Sequence, residues 1–245
     1  MNCLYLTLFL VFRRVRFACG AALRWSVFLL VLLGFFGLEG VWAGDFQSTV
    51  EQAAAIIRRF KDLPEDGIPE AVFRDAKGLA VLQVVKAGFL FSGRGGEGLV
   101  VARTAQGWSG PSAIVLGGIG YGFQVGVQVT EFVFVLNTPE AVKAFAQKTN
   151  FTLGGDISAS AGPVGRTAEG GVMPLAAIYT YSRSQGIFGG LSVEGAVVAA
   201  APKTNEAYYG RPVTPAQILY GDVPPPPGAR VLLDALEAPY RQPSS

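Results

Sequence analysis

Histidine is absent from all 245 residues of the sequence. It is the side chain that enzymes use most often as a general base, and it completes the Ser-His-Asp and Cys-His groups of many hydrolases. It is also a ligand in the common catalytic zinc sites. Enzymes that depend on these arrangements are therefore excluded, and we expect no hydrolase or transferase activity.

Cysteine is nearly absent as well, because Cys3 and Cys19 both lie in the first 43 residues. The rest of the chain has no disulfide, no thiol nucleophile and no cysteine ligand for a metal. Acidic residues remain as candidates for catalysis, but no two of them have a spacing that is diagnostic of an acid–base pair. They are Glu97, Glu131, Asp156, Glu169 and Glu194. We predict that the protein is not an enzyme and has no catalytic residue, metal site or cofactor.

Charged residues make up only 16% of the chain, and their excess is basic, with a formal net charge of +2. This excess belongs to the first 43 residues, which contain four arginines and one acid. The remaining chain has 16 basic and 17 acidic residues, a net charge of −1. A basic surface for nucleic acids is therefore not indicated, and no nucleic-acid partner is expected.

Residues 1–43 have the pattern of a leader. Arginines precede an apolar run at residues 26–38, which is too short to cross a bilayer of about 30 Å as a helix. Val41 and Ala43 stand at the positions that a signal peptidase reads. We predict a signal peptide at residues 1–43, a domain at 44–238 and a tail at 239–245, with export to the periplasm or the exterior. The alternative is an uncleaved leader that acts as an interfacial or membrane anchor.

Residues 45–61 are predicted to form an amphipathic helix. Ser48 and Glu51 have the spacing of a capping box. Apolar side chains recur at helical spacing, namely Phe46, Val50, Ala53, Ala54, Ile57 and Phe60. Two interpretations of this stripe stay open: it packs against a sheet, or it lies in a lipid interface.

The stretch at residues 119–136 organises the fold. From 119 to 129 its odd positions are large and apolar, and its even positions are all glycine or glutamine. Alternation with period two predicts a half-buried β-strand. Residues 132–136 are apolar on both faces, which indicates the middle of a sheet. A helix is excluded because each of three glycines at alternate positions would cost about 1 kcal/mol relative to alanine.

Further strands are predicted at residues 79–85, 88–91, 99–103, 152–164, 176–183 and 187–198, with the glycine-rich segment 92–98 as a turn. Short helices are predicted after Pro69, Thr138 and Thr214 and at residues 231–236. We therefore expect an α+β fold. It has a bent, largely antiparallel β-sheet closing towards a barrel, an N-terminal amphipathic helix and short peripheral helices.

Gly93, Gly95 and Gly98 match the G-x-G-x-x-G pattern of nucleotide-binding loops. In that pattern a helix follows the glycines, and its N-terminus binds the pyrophosphate. Here the following residues predict a strand instead. The segment is therefore interpreted as a glycine-rich β-turn and not as a nucleotide site.

Basic residues cluster near the end of the first predicted helix. Arg58, Arg59 and Lys61 lie together there, and Lys86 and Arg94 follow in the first strands. These side chains could form an anion-binding face. Because acidic residues are interleaved with them, an ordinary mixed-charge surface is the alternative.

Several runs together resemble the SYLF domain family. They are AKGLAVLQVVKAGFLFSGRGGEGLVVAR, GWSGPSAIVLGGIGYGFQVGVQVTEFVFVLNTPEAVKAF, FTLGGDISASAGPVGR and YTYSRSQGIFGGLSVEGAVV, with NEAYYG and ILYGD further on. The likeness covers about residues 46–236. It implies a lipid-binding module that prefers phosphoinositides and other anionic phospholipids and uses an amphipathic helix at its N-terminus. Some eukaryotic members also bind and bundle actin.

The resemblance places residues 46–61 where the family has its membrane-active helix. We therefore predict a non-enzymatic module that binds anionic phospholipid membranes peripherally. The predicted lipid-binding residues are Phe46, Val50, Ile57, Arg58, Arg59, Phe60, Lys61, Lys86 and Arg94. The alternative is an interaction module for actin filaments or for an envelope protein. A third interpretation, an integral outer-membrane barrel, is disfavoured by the helical segments at both ends.

Overall fold

The computed structural model describes residues 45–63, 67–147, 150–151, 159–161 and 176–240. The predicted leader and most of the predicted strand at 152–164 lie outside the described residues. The helices are α1 (Phe46–Asp62), α2 (Glu70–Asp75), α3 (Pro139–Gln147), α4 (Pro202–Tyr209), α5 (Pro215–Leu219) and α6 (Arg230–Glu237), with a short 3-10 helix at Pro227–Ala229. The strands are β1 (Gly78–Thr104), β2 (Gly107–Trp108), β3 (Ser112–Leu136), β4 (Asn150–Phe151), β5 (Ala159–Ala161) and β6 (Ile178–Ala200).

Three long strands form the sheet, with β3 in the middle. β1 and β6 both pair with β3 in antiparallel fashion over most of its length. The order of the strands is β2-β1-β3-β6-β4, and the short β5 joins β6 in parallel. The predicted α+β class, with a largely antiparallel sheet and peripheral helices, is confirmed. Among the described strands the path ends at β2 and β4, so the sheet is open and is not closed into a barrel.

β1 is a single strand of 27 residues that folds back along itself. The backbone N–H of Arg103 donates a hydrogen bond of 2.8 Å to the carbonyl oxygen of Lys77. A Cβ atom on Gly96 or Gly98 would collide with the backbone of the strand's own first half. The predicted turn at residues 92–98 is therefore wrong. The chain reverses through a bend inside a strand, because glycine lets the two halves approach closely.

The bend crosses all three long strands. In β1 the register against β3 shifts between Phe89 and Phe91. In β3 Gly126 has a φ of +136°, and in β6 Gly186 has a φ of +128°. Residues with a Cβ atom rarely adopt such values, so these two places favour glycine. Gly186 pairs with Gln128, two residues from Gly126, so the two special conformations lie side by side.

The two faces of the sheet carry separate apolar cores near the helices. Odd-numbered residues such as Leu79 and Val133 pack in the core that includes α1 and α6. Even-numbered residues such as Leu82 and Phe134 pack in the core that includes α3. Successive side chains of one strand therefore belong to different cores, as period two requires.

The start of α1 differs from its predicted start. The Asp45 carboxylate accepts a hydrogen bond of 3.2 Å from the backbone N–H of Gln47 and caps the helix. The predicted capping box of Ser48 and Glu51 is therefore wrong, because both residues already lie inside the helix. The helix predicted after Thr214 is confirmed as α5, and Thr214 caps it.

α4 is a helix that the sequence analysis did not predict. Its single buried residue is Asn205, so no apolar stripe marks it in the sequence. The Asn205 side chain accepts a hydrogen bond of 2.7 Å from the backbone of Ala113 and donates one of 3.2 Å to Ser112 Oγ. These bonds fix α4 to the start of β3. No helix in the described parts of the chain has the length and apolar character needed to span a bilayer.

Candidate functional site

α1 is docked on the odd-numbered face of the sheet. Its predicted lipid-binding apolar residues are buried: Phe46 is 7% exposed, and Val50, Ile57 and Phe60 are 1% exposed or less. Each fully buried side chain of this size stabilises the docked state by roughly 1.5–3 kcal/mol. Of the two interpretations of the apolar stripe, the structure therefore shows the first: α1 packs against the sheet. These residues would reach a lipid interface only if α1 left the sheet, so their role in lipid binding stays a prediction.

Polar contacts also hold α1 on the sheet. Thr49 Oγ1 donates a hydrogen bond of 3.1 Å to Glu97 of β1. Arg59 forms an ion pair with Glu131 of β3 and donates to both of its carboxylate oxygens. Two of the acids that were considered as catalytic candidates, Glu97 and Glu131, are thus engaged by this helix.

Lys61 lies near the C-terminal end of α1 and is only 6% exposed. Its ammonium group lies 4.3 Å from the centroid of the Phe73 ring. It also donates three hydrogen bonds of 2.7–3.1 Å to carbonyl oxygens at the end of α6, those of Ala235, Leu236 and Ala238. The predicted contact of Lys61 with lipid phosphate does not fit this docked arrangement, because the protein itself encloses the ammonium group.

The environment of Lys61 shifts its pKa. Burial, followed by the positive charge of Arg103, lowers the pKa of Lys61 to about 8, whereas the carboxylate of Glu70 acts to raise it. The position at the C-terminal end of α6 favours the charged form, since helix C-termini carry partial negative charge. Lys61 is therefore a buried cation that is solvated by backbone carbonyl groups.

The other two cations at the end of α1 lie closer to solvent. Arg58 is exposed, and its guanidinium donates a hydrogen bond of 3.2 Å to the carbonyl oxygen of Val231 in α6. Arg59 is partly exposed but is paired with Glu131. Arg58 and Lys61 thus contact the two ends of α6 and Arg59 contacts β3, so the three basic residues do not form one cationic surface.

Lys86 and Arg94 lie on the two sides of the bend in β1. Lys86 pairs with Gln128 and Arg94 with Gly118 of β3. Burial, followed by the charge of Arg94, lowers the pKa of Lys86, and burial lowers the pKa of Arg94. The structure thus brings these two predicted site residues together in one partly buried environment at the bend.

The outer side of the bend carries a large apolar surface that the sequence analysis did not identify as a site. Seven large side chains there are 56–89% exposed. We call this group the bend surface, and it consists of Phe89, Phe91, Ile119, Tyr121, Val125, Val127 and Ile187. Exposed apolar residues that are scattered singly need no explanation, but a contiguous group marks an interaction site.

Cross-strand pairing makes the bend surface contiguous. The rings of Phe91 and Tyr121 have centroids 4.9 Å apart. Residues of the group face each other in three pairs: Phe89 with Val125, Phe91 with Tyr121, and Val127 with Ile187. All seven have odd numbers, so they lie on the face of the sheet that α1 covers elsewhere.

The predicted strand at 119–129 is confirmed as part of β3, but its predicted burial is wrong. A half-buried strand places its large apolar residues on the buried side, yet Ile119 and Val125 are exposed. The 17 residues of α1 span about 25 Å. The 25 residues of β3 would span about 80 Å if straight. The helix is thus much shorter than the strand. This difference in length could have been read from the sequence, and it indicates that one helix covers only part of the apolar face.

Basic and acidic residues are both found at the bend and directly beside it. Segments 85–96, 115–130 and 182–187 contain Lys86, Arg94 and Arg183 and no aspartate or glutamate. The continuation of β6 adds one acid, Glu194, whose backbone pairs with Gly120. Glu97 and Glu131 lie directly beyond these segments, and Glu131 pairs with Arg183. Lys86 and Arg94 have even numbers and therefore lie on the face opposite the bend surface.

The fold and the bend surface together define a class of protein, an α+β binding domain that is built on a bent antiparallel sheet. A sequence model of the Ysc84 family, described as "Las17-binding protein actin regulator", matches residues 117–239. The chain belongs to this family, whose domain is also called SYLF, and the resemblance seen in the sequence is confirmed.

Relatives of this chain occur in animals and yeast. The SH3 domain-containing YSC84-like protein 1 of Homo sapiens is 43% identical over 202 residues, which cover 79% of this chain and 59% of the human protein. The LAS seventeen-binding protein 3 of Saccharomyces cerevisiae is 48% identical over 212 residues, which cover 82% of this chain and 46% of the yeast protein. Protein YSC84 of the same yeast is 45% identical over 212 residues, covering 82% of this chain and 45% of that protein. The chain thus spans about half of the length of these relatives.

Proposed function

We propose that this chain is a non-enzymatic module that binds anionic phospholipid membranes, including those that contain phosphoinositides, as a peripheral protein. The observation that carries the proposal is the bend surface, a contiguous group of large apolar side chains that are 56–89% exposed. A lipid interface suits such a surface, since acyl chains take up exposed apolar side chains. The SYLF resemblance implies the same class of ligand.

The expected strength of this binding follows from two terms. Transfer of Phe89 and Phe91 out of water contributes roughly 1.5–3 kcal/mol for each side chain. The exposed Arg183 adds at most about 1 kcal/mol near an anionic surface, and less because it pairs with Glu131. Such a sum corresponds to affinities between about millimolar and micromolar. The association is therefore expected to be reversible, and its electrostatic part should weaken as salt is added.

We further propose that the protein is exported and meets the membrane from the periplasm or the exterior. Support for this comes from the sequence of residues 1–43, in which arginines, a short apolar run and a small residue at position 43 follow the order of a signal peptide.

Vesicle co-sedimentation tests the membrane function. The protein is isolated from cells that express the whole gene and is mixed with three kinds of vesicle: phosphatidylcholine alone, phosphatidylcholine with phosphatidylserine, and phosphatidylcholine with a phosphoinositide. We expect binding to both anionic kinds and much weaker binding to the neutral kind, with the difference lost at high salt. Equal binding to all three, or binding to none, contradicts the proposal.

A second candidate function is binding to actin filaments or to an envelope protein. It is favoured by the family description, which names an actin regulator, and by the name of the yeast LAS seventeen-binding protein 3. Co-sedimentation with filamentous actin tests it in parallel. Sedimentation with filaments, together with no binding to any vesicle, would favour this candidate over membrane binding.

A further inference from the structure

We infer that the bend surface is the interface of a homodimer in solution, in which the bend surfaces of two copies of this chain cover each other. This goes beyond the proposed membrane function, because it concerns the protein in water. One consequence rests on that function: the membrane and the second copy compete for the same surface.

The bend surface is larger than the apolar patches that most soluble monomers expose. An aromatic side chain has roughly 150–250 Å² to cover and a valine or isoleucine roughly 100 Å², so the seven side chains, at exposures of 56–89%, offer on the order of 700 Å² in each copy. The largest such patch on a typical monomer is about 300–600 Å². Water therefore favours a state in which this surface is covered.

The area of the bend surface agrees with what a stable dimer needs. Homodimer interfaces are about 65% apolar, so an apolar area on the order of 700 Å² corresponds to a total area on the order of 1,000 Å² per copy. A specific interface of standard size buries about 800 Å² per partner. Two bend surfaces that cover each other thus reach the size of a stable interface without help from another part of the domain.

Three of the seven side chains are aromatic, and two of these already contact each other in the single chain. They are Phe89, Phe91 and Tyr121, and the ring centroids of Phe91 and Tyr121 lie 4.9 Å apart. Aromatic side chains carry much of the binding energy at protein interfaces. The group is exposed without any rearrangement, so the cost of ordering it on association is small.

The composition of the bend surface suits contact with an identical surface. In a twofold dimer a group near the axis meets the same group of the partner, so a charged centre would bring like charges together. At the bend, the odd-numbered positions within 85–95, 115–129 and 185–187 hold no aspartate, glutamate, lysine or arginine. Lys86 and Arg94 have even numbers and lie on the opposite face. Self-association therefore brings no like charges together at its centre.

Charged residues of the same face lie at the margins of the bend surface and are engaged within the chain. Glu97 accepts a hydrogen bond of 3.1 Å from Thr49 of α1. Glu131 forms an ion pair with Arg59, and its backbone lies opposite that of Arg183 in β6. An apolar centre inside a polar margin is the usual anatomy of a protein–protein interface.

Sedimentation velocity without lipid tests the inference on protein from cells that express the whole gene. We expect the wild type to form a dimer with a dissociation constant of about micromolar or tighter and to dissociate on dilution. Phe89→Ser/Phe91→Ser should raise this constant at least about a hundredfold, since each substitution removes apolar contact in both copies. The control Tyr220→Ser removes a 47% exposed aromatic side chain next to α5 and should leave the constant unchanged.

Ile119→Lys is a second variant that keeps the test decisive if the double variant does not fold. The side chain of Ile119 is 78% exposed, so a lysine there stays in water in the single chain and leaves the core undisturbed. In the dimer it adds one positive charge to each side of the interface, and we expect the dissociation constant to rise at least about tenfold. The circular dichroism spectrum should match that of the wild type.

Vesicles of phosphatidylcholine with phosphatidylserine test the competition. At a fixed excess of lipid, the vesicle-bound fraction of the wild type should fall as the total protein concentration is raised through the dimer dissociation constant. The reason is that the dimer hides the surface that binds lipid, so association and vesicle binding are linked by mass action. The bound fraction of Ile119→Lys should not depend on protein concentration over the same range.

The outcomes for the dimer and for the membrane can be told apart. A wild type that stays monomeric at every concentration overturns the inference, and vesicle binding by that monomer would leave the proposed function intact. A wild-type dimer that neither variant weakens also overturns the inference, because its interface then lies elsewhere. A dimer that both variants dissociate supports the inference, even if the wild type binds no vesicle and the proposed function is refuted. Vesicle binding that is independent of protein concentration while this dimer forms would remove the competition and leave the interface.

Discussion

Lys61 in α1 donates a hydrogen bond of 2.8 Å to the carbonyl oxygen of Leu236 in α6. The two residues are 175 positions apart, so the bond ties the first described helix to the last one. The carbonyl oxygens of Ala235 and Ala238 accept from the same ammonium group. α1 is therefore held at its C-terminal end by polar contacts in addition to its apolar face.

Replacement of Lys61 by methionine should destabilise the domain. Methionine keeps most of the aliphatic volume but leaves carbonyl oxygens of α6 without their donor, at a cost of roughly 1–3 kcal/mol in the free energy of unfolding. Urea unfolding at neutral pH measures this loss. The control Arg58→Met removes an exposed cation and should cost less than about 1 kcal/mol. Equal losses in both variants would contradict the special role of the Lys61 contacts.

The free energy of unfolding should also depend on pH through Lys61. Burial, followed by the charge of Arg103, lowers the pKa of Lys61 from 10.5 to about 8. Between these two values the unfolded chain binds more protons than the folded chain, so the contribution of Lys61 to stability rises with pH across this window. Urea unfolding of the wild type and of Lys61→Met at pH values of about 7 and about 9.5 measures it. The stability of the wild type relative to the variant should increase at the higher pH.

Tyr208 affects stability in the opposite direction at higher pH. Burial, followed by the charges of Asp45 and Glu51, raises its pKa to about 12. Above a pH of about 10 the unfolded chain loses this proton while the folded chain keeps it, so stability falls. The comparison of the wild type with Lys61→Met cancels this effect, since both proteins retain Tyr208. A wild-type advantage that shrinks from neutral pH to pH of about 9.5 would contradict the lowered pKa of Lys61.

The ion pair between Arg59 and Glu131 should contribute measurably to the docking of α1. Glu131→Gln leaves the guanidinium beside a neutral amide, and we expect a loss of roughly 1–2 kcal/mol in the free energy of unfolding. Arg59→Gln/Glu131→Gln should lose less than the sum of the two single variants, because they remove one shared interaction. Asp75→Asn, which breaks the exposed pair with Arg74, is the control and should stay within about 1 kcal/mol of the wild type. Additive losses at Arg59 and Glu131 would argue against coupling.

Gly186 should be intolerant of a side chain. Its φ of +128° is strained for other residues, and a Cβ atom would collide with the backbone of Val127. We expect Gly186→Ala to lose about 1–3 kcal/mol of stability or more. Gly117→Ala is the matched control in β3, because a Cβ atom there would meet no atom within 4 Å. Similar melting temperatures for the two variants would mean that the bend is not held as described.

The leader prediction is tested by intact mass analysis of the protein from its native host. If residues 41–43 are read as a cleavage site, the mature chain begins at Gly44 and contains no thiol. A mass that includes Cys19 would refute cleavage at this place.

Local patterns predicted the helices and strands well where a few neighbouring residues decide the conformation. The helix predicted at 45–61 is observed at Phe46–Asp62. The alternation at 119–129 lies within β3. The glycines at 92–98 were misread as a turn because glycine usually weakens a strand. What keeps them in β1 is contact with the other half of the same strand, which no local pattern records.

The sequence by itself determined the α+β class, the family and the absence of histidine and of thiols beyond Cys19, since these depend on residue types and short spacings. Only the tertiary structure decided which apolar residues are covered. Phe60 is buried and Phe91 is exposed, although both belong to regular apolar patterns. The physical reason is that the burial of a side chain depends on which element, distant in the sequence, packs against its face of the sheet. α1 reaches one end of the odd-numbered face and is fastened there to α6 through Lys61, and the bend lies beyond its length.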